Sequence, residues 1–307
     1  MRTSFRCLCT VGLLAAATPA SAQLYESVGI RAQGLGGAFV AVADDATATW
    51  WNPAGLATGP FFDALVEYDR IRTTSPQQKT VGVAVTFPAL GVSYYRLPIN
   101  QMRVPTSTGT SATDRQESRQ EPGGLGVYGL TVGQSLGSHL VVASTLKLER
   151  AGESERDLDV GAMARFGILQ LGLSVKNVRQ AEFETDGGVF ELDRQARAGV
   201  ALLGQSSGWI EAITLAADAD LITTTTIVGG ETRYVAGGLE VWIFHRKVGL
   251  RAGASTNTVG AKGSSASGGF SVAVIPGAYL KTYLDAQYTN GSDRTRRSWG
   301  LALRASF

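Results

Sequence analysis

The sequence contains few of the residues that build metal centres or disulfide frameworks. Of its 307 residues, two are cysteines, Cys7 and Cys9, and two are histidines, His139 and His245. Both cysteines lie close to the N-terminus, so neither a disulfide scaffold nor a Cys/His metal site is expected, and no cofactor is predicted. Charged residues make up 18% of the chain and hydrophobic residues 44%, a composition too apolar for a disordered protein.

No later segment has the 18 consecutive apolar residues that a transmembrane helix needs. The N-terminus instead has the pattern of a secretory signal peptide: Arg2 and Arg6, an apolar stretch over 11–17, and a small-residue site at 20–22. We therefore predict that residues 1–22 are a signal peptide, cleaved after Ala22. Losing two of the 28 basic residues would leave 26, against 26 acidic ones. A chain without net charge gives no electrostatic reason to expect nucleic acid as a partner.

The rest of the chain shows strict alternation of apolar and polar residues. Leu169, Leu171 and Leu173 alternate with polar or small neighbours, and the same pattern recurs along the chain. Since successive side chains of a strand point to opposite faces, each such segment has one apolar face. Fourteen segments are predicted: 61–70, 78–87, 90–97, 124–134, 139–149, 157–166, 169–177, 196–203, 211–220, 232–242, 247–255, 266–275, 280–288 and 297–307. Most have the length of a tilted strand that crosses a membrane.

The connections between these segments alternate in length. Odd-numbered connections average about twelve residues and even-numbered ones about four. Outer-membrane barrels have an even number of strands, short periplasmic turns and longer external loops. The pattern predicts an all-β protein, a transmembrane antiparallel up-and-down barrel of about 14 strands over residues 61–307, surrounded by the lipid of the bacterial outer membrane.

Aromatic residues support this prediction. They fall at the expected periplasmic ends (Phe62, Phe87, Phe166, Tyr279 and Phe307) and at the expected outer ends (Tyr68, Tyr234, Tyr288 and Trp299), as two girdles would. The chain also ends on an alternating strand whose last residue is Phe307. This ending resembles the C-terminal signal by which the barrel-assembly machinery recognises outer-membrane barrels.

The polar faces carry charges of both signs in equal number: Lys147, Arg165, Lys176, Arg197, Lys247, Arg251, Lys281 and Arg304 against Asp63, Glu67, Glu149, Asp159, Asp218, Asp220, Glu240 and Asp285. A selective ion channel would line its constriction with one sign of charge. The balance indicates either salt-bridge networks, across the lumen or onto a plug, or a solvated wall without selectivity.

Residues 23–60 do not alternate, and we predict that they form a segment packed inside the pore. They are rich in small and apolar residues and contain two adjacent tryptophans. Asn52 followed by Pro53 is an N-cap and first-turn pair that opens a short helix.

The stretch from Gly34 to Ala57 resembles the N-terminal signature of FadL-like barrels and the related PorV/PorQ proteins. It combines a glycine-rich start, an Ala-Asp-Asp step and a Trp-Asn-Pro-Ala-Gly-Leu ending. The resemblance implies a fourteen-stranded barrel whose N-terminal hatch plugs the lumen. It assigns plug or gating roles to Gly36, Gly37, Phe39, Asp44, Asp45, Trp50, Trp51, Asn52 and Pro53.

The resemblance leaves two functions open. FadL-like barrels transport long-chain fatty acids or other hydrophobic small molecules, whereas PorV/PorQ barrels serve as scaffolds or shuttles in protein secretion and surface attachment. The partner is accordingly a hydrophobic ligand or a secreted protein. The predicted outer loop 98–123 is polar, which departs from the hydrophobic capture groove of FadL-like transporters and slightly favours the second function.

Two short motifs mimic enzyme signatures. The segment 133–137 fits G-x-S-x-G around Ser135, and 124–129 fits G-x-G-x-x-G. The first motif needs a turn from a strand into a helix, and the second must open a helix after a strand. Both fall in the predicted barrel, in a hairpin turn and at a strand start, so no enzyme activity is expected. Asp44 and Asp45 could bind a cation, but helix capping is the preferred interpretation.

Overall fold

The computed structural model describes residues 20–21, 28–72, 78–98, 124–185, 188–226, 230–260, 262–277, 279–292 and 297–307. The predicted signal peptide lies outside these residues apart from Ala20–Ser21, and the predicted loop 98–123 lies outside them apart from Pro98. Within the described part of the chain, no helix is both long and apolar enough to cross a membrane.

Fourteen strands close into one antiparallel barrel. They are β2 (Asp63–Arg72), β3 (Gln78–Phe87), β4 (Leu90–Pro98), β5 (Gly124–Leu136), β6 (Leu140–Ala151), β7 (Glu153–Phe166), β8 (Leu169–Lys176), β11 (Gln195–Gln205), β12 (Ile210–Asp220), β15 (Tyr234–Ile243), β16 (Val248–Asn257), β17 (Ser264–Pro276), β18 (Lys281–Gly291) and β19 (Arg297–Ser306). Each strand pairs with the barrel strand next along the chain, and β19 pairs with β2 to close the ring. The predicted fold class is confirmed.

Short strands outside the barrel were not predicted. β9 (Glu182–Thr185) and β10 (Gly188–Glu191) form a hairpin within the connection from β8 to β11, and β1 (Ala20–Ser21) pairs in parallel with β10. β13 (Thr224–Thr226) and β14 (Gly230–Thr232) form a second hairpin between β12 and β15. All five strands are too short for alternation to reveal them.

The alternating apolar and polar residues of the sequence form the outer and inner faces of the barrel wall, respectively. In β19, Leu301 and Leu303 are 44% and 53% exposed on the outside, whereas Ala302 and Arg304, which alternate with them, are buried inside. Apolar side chains cover the outer surface of the other barrel strands in the same way. A belt of this kind suits lipid, and the buried polar residues face the lumen.

The barrel has a short-turn end and a long-loop end. Six short connections lie at the short-turn end together with Phe307: those at 88–89, 137–139, 167–168, 206–209 and 244–247, and the one between Pro276 and Lys281. The predicted loop 150–156 at the opposite end is wrong. β6 and β7 continue as a paired ribbon until only Gly152 joins them, and its φ of 94° allows the tight turn. The charged tip of this ribbon lacks the apolar face that alternation detects.

The aromatic residues follow the predicted girdles with one exception. Phe61, Phe62 and Phe87 cluster with Phe307 at the short-turn end, and the Phe62 and Phe307 rings stack at 5.5 Å. Their backbones exchange hydrogen bonds of 2.9 and 3.0 Å, so the last residue is tied to the chain just before β2. Tyr234 is the exception: it is buried towards the lumen, because it lies in register with the inward Asn257.

Candidate functional site

The candidate site is the lumen, which holds the segment 28–60, called the lumenal segment below. It contains helix α1 (Ile30–Gly34), helix α2 (Ala48–Trp51) and a 3₁₀ helix (Pro53–Ala57). Residues 28–56 are buried throughout, except for Gly36 and Asp44, which are partly exposed. The segment contacts inward-facing groups on strands around the ring, among them β2, β7, β12, β15 and β18.

Inward carboxylates of the barrel wall accept hydrogen bonds from the backbone of the lumenal segment. Glu67 accepts from the N–H groups of Gly29 and Ile30 at the start of α1, at 3.0 to 3.2 Å. Asp218 accepts from Phe39 N at 2.7 Å and from Val40 N at 2.8 Å. Asp63 accepts from Ala46 N at 3.0 Å. A buried segment without regular secondary structure would otherwise leave backbone N–H groups without hydrogen-bond partners, which costs free energy. These carboxylates supply the missing partners and so stabilise the segment inside the lumen.

Asn52 and Pro53 occupy the predicted helix start. The Asn52 Oδ1 atom accepts from Ala54 N at 3.2 Å, and Pro53 opens the 3₁₀ helix. The Asn52 side chain also donates to Val40 O at 2.8 Å and to Ala162 O of β7 at 3.2 Å. One fully buried amide therefore joins two parts of the segment to the wall.

Seven inward glycines bring the wall into direct contact with the lumenal segment. A Cβ atom built on any of them would overlap an atom of the segment: Gly91, Gly161, Gly172, Gly199, Gly238, Gly253 and Gly300. Gly172, for example, faces the carbonyl of Val40, and Gly238 faces that of Leu35. Gly36, with a φ of 70°, lies against the backbone of Ala254, and Gly37 also has a positive φ of 85°. The predicted glycine-rich start is therefore used in a close backbone contact.

A chain of buried ion pairs runs from the segment along the wall. Arg31 donates to both carboxylate oxygens of Glu240 at 2.7 and 2.8 Å, and Arg251 donates to the same group at 2.5 Å. Asp285 continues the chain to Arg304, at 3.2 Å. Arg304 is in turn 3.6 Å from Asp63. This confirms the prediction of salt-bridge networks onto a segment inside the lumen.

Arg31 is the link that sequence reasoning missed. Burial alone would lower its pKa, but the carboxylates of Asp44, Glu240 and Asp45 outweigh that effect and hold the pKa of Arg31 well above its usual value. No local pattern marks Arg31, because Glu240 is 209 positions away in the chain.

The paired aspartates have different roles. Asp45 accepts hydrogen bonds from the backbone N–H and the hydroxyl of Thr47, at 2.9 and 2.5 Å, and thereby shapes the turn into α2. Asp44 pairs with Arg31 instead of capping the helix. Among the described residues, no group of three or more His, Cys, Asp and Glu side chains could hold a metal ion.

The two adjacent tryptophans point to different neighbours. The ring of Trp51 packs edge-on against Phe39 at 5.9 Å, and its N–H donates to Val28 O at 2.9 Å, so it belongs to the core of the segment. Trp50 packs against Tyr95 of β4 at 5.5 Å, and the Lys176 ammonium lies 3.3 Å from its ring centroid. Both rings belong to the same buried hydrophobic cluster, but Trp51 packs on Phe39 within the segment whereas Trp50 packs on the barrel wall.

Trp50 forms the floor of an apolar compartment towards the long-loop end. Its walls are the buried inward side chains of Tyr95, Leu97, Leu125 and Val127, and its cover consists of Ala181, Phe183 and Leu192 from around the β9–β10 hairpin. A cavity of about 10 Å³, room for a single water molecule, lies beside Trp50. Its lining is half apolar (Trp50, Leu125, Val127 and Leu192) and half polar (Glu149, Lys176, Asn177 and Gln195). In this conformation the compartment is filled by the protein itself.

The remaining inward charges divide into two groups. Lys147 lies 2.9 Å from both Glu149 and Asp159, and Arg197 pairs with Asp220 at 2.6 Å. The placement of Arg165 and Lys247 in the lumen is wrong. Both are exposed near the turns of the short-turn end, where the wall no longer encloses them.

The two motifs that mimic enzyme signatures both lie in or next to the barrel strand β5. Ser135 is exposed near the end of β5, which continues into a hairpin turn and not into a helix. The segment 124–129 is the start of the same strand. His139 is stacked on Phe166 at 5.4 Å near the first of these motifs.

A closed antiparallel barrel with an apolar outer belt and an occupied lumen defines the class of the protein as an outer-membrane β-barrel. No family model and no curated protein matches the sequence. Among solved structures, the CymD monoaromatic hydrocarbon channel aligns with 92% of this chain and 98% of its own, at 12% identity and a TM-score of 0.57.

Two toluene transporters align equally broadly. TbuX of Ralstonia pickettii matches at 11% identity with a TM-score of 0.57, and TodX of P. putida at 10% identity with a TM-score of 0.55. Each alignment covers 92% of this chain and 99% of the other. The chain therefore has the fold of FadL-like outer-membrane barrels.

Proposed function

We propose that this barrel lets hydrophobic small molecules pass through the outer membrane and that the lumenal segment is its gate. The observation that carries the proposal is the apolar compartment above Trp50. The lumen as a whole is rich in charged residues, but the side chains around this compartment are aromatic or aliphatic. They are Trp50 of the lumenal segment and the inward wall residues Tyr95, Leu97, Leu125 and Val127. An enclosed apolar pocket with a few polar groups at its edge is the usual form of a site for a small hydrophobic ligand.

The shape of the compartment favours a ligand with one aromatic ring. Phe183 is fully buried in the compartment, so a ring of that size fits once the β9–β10 hairpin has moved aside. The edge-on contact between Trp50 and Tyr95 provides aromatic surfaces for such a ring. The names of the structurally similar channels, which refer to toluene and monoaromatic hydrocarbons, agree with this ligand class.

Passage beyond the compartment requires the lumenal segment to move. At the seven wall glycines the backbone of the wall lies directly against the segment, and the Arg31–Glu240 pair holds the segment in place. Such a gate has a closed and an open conformation. The ligand binds only to the open conformation, because the closed one has no room for it, and binding therefore shifts the equilibrium towards the open conformation.

A non-transporting scaffold or shuttle for secreted or surface-attached proteins is the second candidate. It is favoured by the filled compartment, whose cavity of about 10 Å³ holds no ligand larger than water. In this case the closed lumen would be permanent and a protein partner would bind elsewhere on the barrel.

Ligand binding by the full mature chain in lipid nanodiscs distinguishes the two candidates. The ¹⁹F resonance of 4-fluorotoluene should shift in the presence of the protein, and that of 4-fluorobenzoate should not. Trp50→Ala should abolish the shift, whereas Trp209→Ala, at an exposed turn position, should preserve it. Conductance in planar bilayers should appear only after deletion of residues 28–60. No shift beyond that of empty nanodiscs, together with no conductance in either form, would refute transport and support the scaffold.

A further inference from the structure

The outward face of the barrel carries basic residues at the long-loop end of one half of the wall. They lie on six of the seven consecutive strands from β19 through β2 to β7, and we call them the basic arc: Arg70, Lys79, Arg96, Arg150, Arg156 and Arg297. Their register partners show that they face outward, since Arg70 pairs with Trp299, Arg96 with Val81 and Arg156 with Leu148, all exposed apolar residues.

Among the described outward positions of these strands, no acidic residue balances the basic arc. The outward positions of the described parts of these seven strands include no aspartate or glutamate. None of the six basic side chains forms a salt bridge with a described residue, and the buried Nε of Arg297 has no hydrogen-bond partner among the described residues. Arg70 and Lys79 are direct cross-strand neighbours. Like charges in this arrangement destabilise a sheet unless an anion lies between them.

The opposite half of the wall lacks this feature. At the same level, the outward strand positions of β8, β11, β12 and β15 to β18 are uncharged: Val175, Ala196, Ala219, Val235, Thr256, Ser264 and Asn290. Arg194 and Arg233 lie just before β11 and β15 in this half, but they donate hydrogen bonds to Val178 O and to the Thr258 hydroxyl. The outward basic residues within the strands are therefore concentrated on one side of the barrel. A complete ring would be expected if these residues only marked the edge of the membrane.

Within the arc, Arg96 and Arg150 flank a notch. Both pair with Gly126, one from β4 and one from β6, and this glycine has no side chain of its own. The Tyr94 ring lies beside it, with its hydroxyl oxygen 3.8 Å from where a Cβ atom of residue 126 would be. The spacing of two strands places them roughly 10 Å apart. The rings of Tyr94 and Tyr128 lie at 4.7 Å from each other on the membrane side of this notch. Tyr68 and Trp299 form a similar pair, at 5.8 Å, with Trp299 beside Arg70 and Tyr68 on the membrane side of both.

We propose that the basic arc binds the phosphate groups of a phosphorylated glycolipid of the outer leaflet, with one phosphate seated between Arg96 and Arg150, beside the Tyr94 hydroxyl that lies next to Gly126. The arginines supply the bidentate donors that phosphate oxygens prefer, and the aromatic pairs below them contact the sugar and the first part of the acyl chains. A free phosphate ion would make no use of these apolar surfaces. The proposal depends on the outer-membrane orientation with the long loops outside, but not on transport.

The test uses the full mature chain in nanodiscs of neutral phosphatidylcholine, with bisphosphorylated lipid A as the probe and native mass spectrometry as the readout. The double variant Arg96→Gln/Arg150→Gln should bind lipid A about 25-fold more weakly, because each basic residue at a membrane surface contributes a moderate and separate attraction to anionic lipid. Arg96→Lys/Arg150→Lys should retain most of the binding. Arg233→Gln/Lys262→Gln removes the same charge from exposed long-loop positions outside the arc and should leave the affinity unchanged.

The lipid controls identify the source of the phosphate. Lipid A stripped of its phosphates should bind only at background level, and inorganic phosphate should not compete. Equal affinity of wild type and Arg96→Gln/Arg150→Gln for lipid A would overturn the proposal. Equally tight binding of phosphatidylglycerol, or competition by inorganic phosphate, would overturn it as well, because the arc would then attract any anion. Binding of 4-fluorotoluene should be the same in all these variants, so failure here is distinguishable from failure of the transport proposal.

Discussion

Substitution of Glu240 tests whether ion pairing holds the lumenal segment in place. Glu240 is buried, accepts two hydrogen bonds from Arg31 and one from Arg251, and joins the segment to the wall. Removing one partner of a buried ion pair costs about 3 to 5 kcal/mol, because the other charge remains buried. Asp44 and Asp45 remain beside Arg31, and Asp285 lies 3.8 Å from Arg251, so Glu240→Ala should cost about 3 kcal/mol.

This cost applies only while the segment is inside the lumen, since Arg31 becomes hydrated when the segment leaves. The population of the released state should therefore increase by about 100-fold. Both native cysteines lie in the predicted signal peptide, so a cysteine introduced at the buried Ala38 can report release through its reaction with a membrane-impermeant maleimide. The rate of labelling follows the released population when opening and closing are fast.

Two comparisons make the result specific. Glu231→Ala removes an exposed carboxylate near the long-loop end and should leave the labelling rate unchanged. Adding Arg31→Ala to Glu240→Ala should lower the labelling rate again, because no unpaired arginine is then left on the segment. A folded Glu240→Ala barrel whose labelling rate rises less than twofold would refute the reasoning.

Three further substitutions address the wall, the cap and the C-terminus. Gly172→Leu should displace the segment and produce conductance in planar bilayers, because the leucine side chain would overlap the carbonyl of Val40. The control Gly237→Leu, on the outward face, should leave the barrel closed. Equal conductance of the two variants would contradict a sealing role of Gly172. Asn52→Ala should raise the labelling rate at Ala38 by about tenfold, the effect of losing a buried amide with three hydrogen bonds; an unchanged rate would argue against this anchor. Phe307→Ala should reduce the yield of folded, heat-modifiable barrel, since it removes the ring stacked on Phe62; wild-type yield would rule out a role in assembly.

The barrel itself could be predicted because lipid and lumen impose opposite demands on alternate residues. Leu301 and Leu303 must face lipid and Arg304 must not, so the pattern is visible without knowledge of the partner strands. The same rule fails where the wall leaves the membrane. β6 and β7 run on past the predicted ends to Gly152, since both of their faces meet water or protein there.

The N-terminal segment could be predicted only in part. Asn52 and Pro53 form a local cap and are recognisable as such, because all the atoms involved lie within three residues. Arg31 has no local signature, and its partner Glu240 was predicted only as a lumenal charge. Gly172 and Gly238 look like ordinary strand glycines in the sequence, because their role depends on contact with the lumenal segment, which only the folded structure shows.

The sequence by itself determined which residues face lipid, how many strands cross, most of the charges that line the lumen and where the chain ends in an aromatic residue. Each of these depends on the environment of a single residue or on a period of two. Only the tertiary structure decided which charges pair, where the segment touches the wall, that Trp50 faces the apolar compartment while Trp51 faces the segment core, and that the basic arc covers one half of the barrel. These features join residues far apart in the chain, and closure of the ring brings them together.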